Sequence, residues 1–184
     1  MILGLDISSS CTGMVLIDPE TKQIVLKKSV AIKEPSKKSI YEIATTFIDE
    51  LEIINGDHKI TSIYIEEPLK SFTGGSSSNN TIIRLIQINA VVSFMCEYIL
   101  LIKPIHIPSN TARATLGIKI LKSEKKNKKK KILDKVMEIY PDFEYGLNRV
   151  GNPENGTYDI ADAIVIALAG LEIYGVNNEQ GNNT

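Results

Sequence analysis

The chain has 184 residues, 43% hydrophobic and 23% charged, and its 21 Lys and Arg nearly balance its 22 Asp and Glu for a net charge of −1. That length supplies one full core and little more, so a single domain is expected over 1–176, followed by a polar, disordered tail at 177–184. The balance excludes a global pull toward nucleic acid, and Cys11, Cys96 and the two histidines, at no ligand spacing, exclude a zinc site or a disulfide framework and point to an intracellular chain.

Residues 1–8 read as a buried strand, and 13–17 and 23–32 as two more, with Asp18-Pro-Glu-Thr21 turning between them into an antiparallel meander. The start, Met1-Ile-Leu-Gly-Leu-Asp6, carries no basic segment before its apolar run and makes a poor signal peptide. Ile40, Ile43, Ala44, Phe47, Ile48, Leu51 and Ile54 then form one helical stripe, opened by a capping box at Ser39 and Glu42 and stopped at Asn55-Gly56. A strand over 60–66 ends at Pro68, and a polar loop over 69–80 leads into a long apolar helix over 81–101. The most apolar stretch, 90–102, is broken by Ser93 and Glu97 and is too short to span a bilayer, so no membrane partner is expected. A short strand over 104–107 precedes a helix that starts at Pro108-Ser109-Asn110 and ends near Gly117. Residues 123–140 read as an amphipathic helix with the stripe Ile132, Leu133, Val136, Met137 and Tyr140, and 158–174 as the final helix. Three strands, helix, strand, helix, strand, helices: the order predicts an α/β fold whose mixed five-stranded sheet joins a meander of strands 1–3 to parallel strands 4 and 5.

Four acids carry the chemistry. Asp159 and Asp162 open the otherwise apolar final helix, and their i, i+3 spacing puts both on one face. Asp6 and Glu66 stand where apolar strands run out. Carboxylates are disfavoured near apolar packing unless a cation compensates them. The helix dipole accounts for either aspartate taken singly, but not for the whole set. Oxygen donors at two strand ends and a helix start suit Mg²⁺ or Mn²⁺, and paired ions drive in-line phosphodiester hydrolysis. Glu66 and Glu67 end their strand together, so one faces each side, and periodicity leaves the choice between them open.

The second informative feature is the run Lys122, Lys125, Lys126, Lys128, Lys129, Lys130 and Lys131, with only Glu124 among them. Cations crowded into the N-terminal half of a helix oppose the macrodipole and each other, and a phosphate backbone would offset that repulsion. The run is expected to form a DNA-binding flank set apart from the acids. Arg113 and Lys119 are further candidates for phosphate contacts, and Phe72 is the one aromatic of the 69–80 loop. His58 and His106 read as structural.

Taken in order, Ile2-Leu-Gly-Leu-Asp-Ile-Ser-Ser-Ser-Cys-Thr-Gly13, Ile65-Glu66-Glu67 and Asp159-Ile-Ala-Asp162-Ala163 resemble the RuvC-like Holliday-junction resolvases of the ribonuclease-H-like fold, and nearly the whole chain is covered. The serine-rich first motif is most similar to resolvases of phages and large DNA viruses. The resemblance implies that Asp6, Glu66, Asp159 and Asp162 are catalytic and bind two Mg²⁺ ions, with Mn²⁺ able to substitute, and it selects Glu66 over Glu67. It implies symmetric nicking of four-way junctions and other branched DNA by a homodimer joined through helix 81–101, in the cytoplasm of a bacterium or a virus-infected cell. It also implies base stacking by an aromatic after the glutamate. In the family that aromatic lies nearer the acid than Phe72 does. Three other readings compete. A sugar-kinase-like or actin-like phosphotransferase needs a second domain and a second glycine-rich loop, and a non-catalytic DNA-binding module predicts an incomplete acid set. A less selective flap or branched-DNA endonuclease shares every motif.

Overall fold

β1 (Ile2–Asp6) is buried on both faces until its last residue, a pattern suited to the middle of a sheet covered on both sides. The computed structural model, which describes residues 1–68 and 79–175, places it there. β2 (Cys11–Ile17) and β3 (Ile24–Ala31) pair antiparallel on one side of β1. Asp18 shapes the turn between them, its carboxylate accepting from the N–H groups of Glu20 at 2.8 Å and Thr21 at 3.0 Å. β4 (Ser62–Glu66) and β5 (Ile105–Ile107) run parallel to β1 on the other side, giving the order β3-β2-β1-β4-β5. This is the mixed sheet expected from the element order.

One face of the sheet is covered by α1 (Ile40–Asp57) and α2 (Asn79–Leu100), packed on Leu3, Leu5, Met14, Leu16, Ile63 and Ile65. The capping box at Ser39 and Glu42 is fully formed. The helix runs through the expected stop at Asn55-Gly56 to Asp57, and the Asn55 side chain instead accepts from the Ile60 N–H at 3.3 Å. α3 (Ser109–Thr115), α4 (Lys128–Ile139) and α5 (Thr157–Tyr174) cover the opposite face, over Ile2, Val15, Ile17, Tyr64 and Ile107.

The single helix expected over 123–140 is divided. Lys122–Asn127 form a 3-10 turn, and α4 begins only at Lys128. The break draws Glu124 back, where its carboxylate accepts from the Leu121 N–H at 3.0 Å and pairs with Lys131 at 2.6 Å. Of the expected stripe, Ile132, Leu133 and Val136 are buried, whereas Met137 is exposed and Tyr140, just past the helix end at Ile139, is half-buried.

α5 lies unusually close to the sheet. A Cβ on Gly4 would stand 2.4 Å from the Ala163 carbonyl oxygen and 2.6 Å from the Ala167 Cβ, and a Cβ on Gly13 would stand 2.0 Å from the Asp159 carbonyl oxygen. Both glycines are therefore required for space, on strands where their backbone freedom is a cost. Gly4→Ala should destabilise the fold by about 1–3 kcal/mol, the usual penalty of overpacking. Urea denaturation checks this, with an unchanged midpoint inconsistent with the close contact.

Candidate active site

Parallel pairing puts the ends of β1 and β4 side by side. Leu5 is in register with Ile65, so Asp6 and Glu66 emerge together as the last residues of neighbouring strands. Alternation decides the face. Leu3, Leu5, Ile63 and Ile65 point to α1 and α2, so Asp6 and Glu66 share the α5 face with Gly4 and Tyr64, and Glu67 turns to the α2 side. Above them, the first turns of α5 bring Asp159 and Asp162 over the strand ends, with the Asp159 backbone against Gly13.

The four acids feel one another's charge. Burial first, then the charges of Glu66, Asp162 and Asp159, hold the Asp6 carboxyl well above the usual carboxylate range. Burial and then Glu66 push Asp162 up to about 6, against the opposing pull of Lys128, Lys129 and Arg113. Burial also raises Glu66, which Lys128, Arg113 and a hydrogen bond from Ser109 partly offset. The Cys11 thiol hydrogen-bonds Asp159, and burial beside these acids pushes it up to about 12. Among the described residues, no three His, Cys, Asp or Glu side chains stand close enough to form a ready-made ion site. The donor set nonetheless fits a hard divalent cation, being all carboxylate oxygen, with Asp6, Glu66 and Asp162 held toward protonation by burial and neighbouring charge that a cation would relieve.

The cations are not where the sequence places them. α4 packs along α5, so its first residues overhang the acids instead of forming a separate flank. Lys128 acts on Glu66 and Asp162, and Lys129 on Asp6 and Asp162, with the Lys129 Nζ 5.7 Å from the centroid of the Tyr158 ring. Arg113 also faces Glu66 and Asp162, its guanidinium donating to Ser109 Oγ at 3.3 Å and Asn110 Oδ1 at 2.5 Å. Lys131 is tied to Glu124, while Lys119, Lys126 and Lys130 are exposed. Phe72 and the side chains of Lys122 and Lys125 lie outside the described residues. His106 faces α2 and lines a cavity of about 340 Å³ with Glu67, Pro68, Ile86, Asn89, Ala90 and Ser93. Sequence reasoning missed Ser109, Cys11 and Asn89, none of which stands in a distinctive local pattern.

Raised carboxylates set the direction of pH dependence. The folded chain keeps protons on Asp6 and Asp162 that the unfolded chain releases. This contribution is complete below the ordinary Asp value of 3.8 and is lost as pH rises through about 6 for Asp162. In chelator, the melting temperature should therefore fall on the order of 5 °C between pH 5 and 7. Asp162→Asn should flatten the dependence and melt above the native chain at pH 7, as thermal unfolding by circular dichroism would show.

No protein-family model and no curated protein matches the chain. Solved structures do. Thermus thermophilus RuvC in complex with Holliday junction substrate aligns at a TM-score of 0.67 and 12% identity, over 93% of this chain and 92% of that one. A second Thermus thermophilus RuvC structure aligns at 0.62 and 12% identity, over 93% of both chains. The yeast mitochondrial Holliday junction resolvase aligns at 0.59 and 14% identity, over 93% of this chain and 77% of that one. The chain has the RuvC-like form of the ribonuclease-H-like fold.

Proposed function

We propose that this chain is a metal-dependent, structure-selective endonuclease that resolves Holliday junctions and related branched DNA by paired nicking. One observation carries the reading: β1, β4 and α5, distant in sequence, deliver Asp6, Glu66, Asp159 and Asp162 to one end of one sheet face, where they interact by charge. A structural likeness to a resolvase holding its Holliday junction substrate supports the choice of DNA.

Asp6, Glu66, Asp159 and Asp162 would hold two Mg²⁺ ions, or Mn²⁺ in their place. Bound divalent ions supply an activated water and charge stabilisation for the leaving oxygen in phosphodiester hydrolysis. The chain's own groups prepare the site. Ser109 orients Glu66, and Cys11 orients Asp159. Lys128, Lys129 and Arg113 lower the negative potential that would otherwise repel a scissile phosphate. The exposed Lys119, Lys126 and Lys130 extend the positive surface and would contact phosphates, which set affinity and carry no base information.

Symmetric nicking needs two sites related by a two-fold axis. α2 is long and apolar enough to cross a membrane by length and composition, with a mean hydropathy of 1.5, but Ile88, Val92 and Cys96 on its inner face pack on the sheet. Its outer face exposes Ile83, Ile86, Phe94 and Tyr98, the last two with rings stacked at 5.8 Å. A second copy docking there would bury this face in an isologous homodimer.

Asp6→Asn should reduce cleavage of a synthetic four-way junction to background while junction binding is retained or tightened, since a negative charge beside the phosphate is removed. Gel assays with Mg²⁺ and with chelator check both, and native cleavage rates in the mutant contradict the reading. Phe94→Glu should convert a dimer to a monomer in light scattering and replace paired nicks by single ones. A native chain that stays monomeric on junction DNA would exclude the proposed interface.

A further inference from the structure

Asn89 is 3% exposed, on the inner side of α2 beside the buried Ile88, Val92 and Cys96, where an aliphatic side chain would pack without the cost of burying an amide. Its hydrogen bonds explain it. The Asn89 Nδ2 donates to the main-chain carbonyl of Glu66 at 3.3 Å. The next N–H, that of Glu67, donates to the carbonyl of Ile107 at 2.9 Å. These two groups belong to one peptide unit, so the plane that follows Glu66 is held by α2 through its oxygen and by β5 through its nitrogen. The peptide ends β4, and its N–H makes the last rung of the β4–β5 ladder, so Asn89 holds the one end that the ladder with β5 does not.

Asn89 is itself held. Ser93 Oγ donates to the Asn89 carbonyl at 2.7 Å, so its hydroxyl proton is already used, and it can only accept from His106 Nε2 at 3.0 Å. Asn89 Oδ1, also 3.0 Å from Nε2, is an acceptor as well. His106 Nε2 therefore carries a hydrogen shared between the two, which orients the Asn89 amide with its nitrogen toward Glu66.

We infer that Asn89, oriented by His106 and Ser93, is a positioning residue that locks the Glu66–Glu67 peptide and so aims the Glu66 carboxylate into the acid cluster. The role rests on the reading of Glu66 as a metal ligand. An outer support of this kind typically changes metal affinity or activity about 10-fold or more when removed.

The test compares His106→Leu, His106→Gln and Asn89→Leu in the full chain, measuring Mn²⁺ binding by calorimetry, kcat and KM on a four-way junction, and melting temperature. His106→Leu and Asn89→Leu should weaken Mn²⁺ binding and lower kcat about 10-fold each, with KM within about twofold of native. His106→Gln, whose amide nitrogen reaches the place of Nε2, should restore both. Native Mn²⁺ affinity and kcat in the two Leu variants would overturn the role, as would a Gln variant as impaired as His106→Leu. Should a Leu variant fail to fold, Asn89→Ser, too short to reach the Glu66 carbonyl, carries the same expectation. Glu66→Gln separates the two levels. If it leaves Mn²⁺ binding and cleavage intact, the acid-cluster reading falls. If it abolishes both while the Leu variants behave as native, only the positioning role falls.

Discussion

Direct backbone contact between α5 and the central strands is the constraint on which the rest of the molecule depends. Gly4 admits the carbonyl of Ala163 and the methyl of Ala167, Gly13 admits the carbonyl of Asp159, and Gly170 lies against the Tyr64 ring. Most helix–sheet contacts are spaced by side chains that can repack. Here the small residues remove that layer, and a close-packed interior transmits the position of the helix directly to its first turns. Asp159 and Asp162 are therefore set relative to Asp6 by the main chain. Tyr64 holds the far end of the helix, its hydroxyl donating to the Gly175 carbonyl at 2.5 Å.

On this rigid frame stands a site that is electrostatically costly. Two unit charges 4 Å apart at an effective dielectric of 20 interact by about 4 kcal/mol, and burial adds to the disfavour of each carboxylate. Lys128, Lys129 and Arg113 offset only part of this, which is why Asp6, Glu66 and Asp162 all remain raised. The cations come from α3 and α4, whose apolar faces pack on the same core that seats α5. The strand ends and α5 thus supply the repulsion, and the helices packed beside α5 supply its partial relief. The acid cluster therefore costs stability, as expected of the site proposed above.

α2 has a double character. Its inner face seals the opposite core and carries the Asn89, Ser93 and His106 contacts behind β4, while its outer face presents aromatic and aliphatic surface to solvent. A helix that touches the back of the Glu66 strand and bears an exposed apolar face places the site and the proposed subunit contact on one structural element. Arg84, on the same helix, donates to the Pro35 carbonyl at 2.8 Å and to the Lys38 carbonyl, fixing α2 to the segment that precedes α1.

Much of this was legible in the residues, for reasons that are local. Strand alternation, the Ser39–Glu42 capping box and the Asp18 turn depend on neighbours two to four positions away, so the element order and the mixed sheet followed from the amino-acid string. The acids stood out because charge is rare where apolar strands end. What the sequence could not decide depends on contacts between distant segments. Glu66 rather than Glu67 faces α5 because of the sheet register and the helices on each side. Lys128 and Lys129 lean on the acids because α4 packs along α5, and the 3-10 turn before them forms where Glu124 gathers the Leu121 N–H and Lys131. Gly4 and Gly13 read as ordinary strand residues until the helix that needs their missing side chains is in place. Local pattern specifies what each segment becomes. Which side chains then meet is settled by packing across the whole chain.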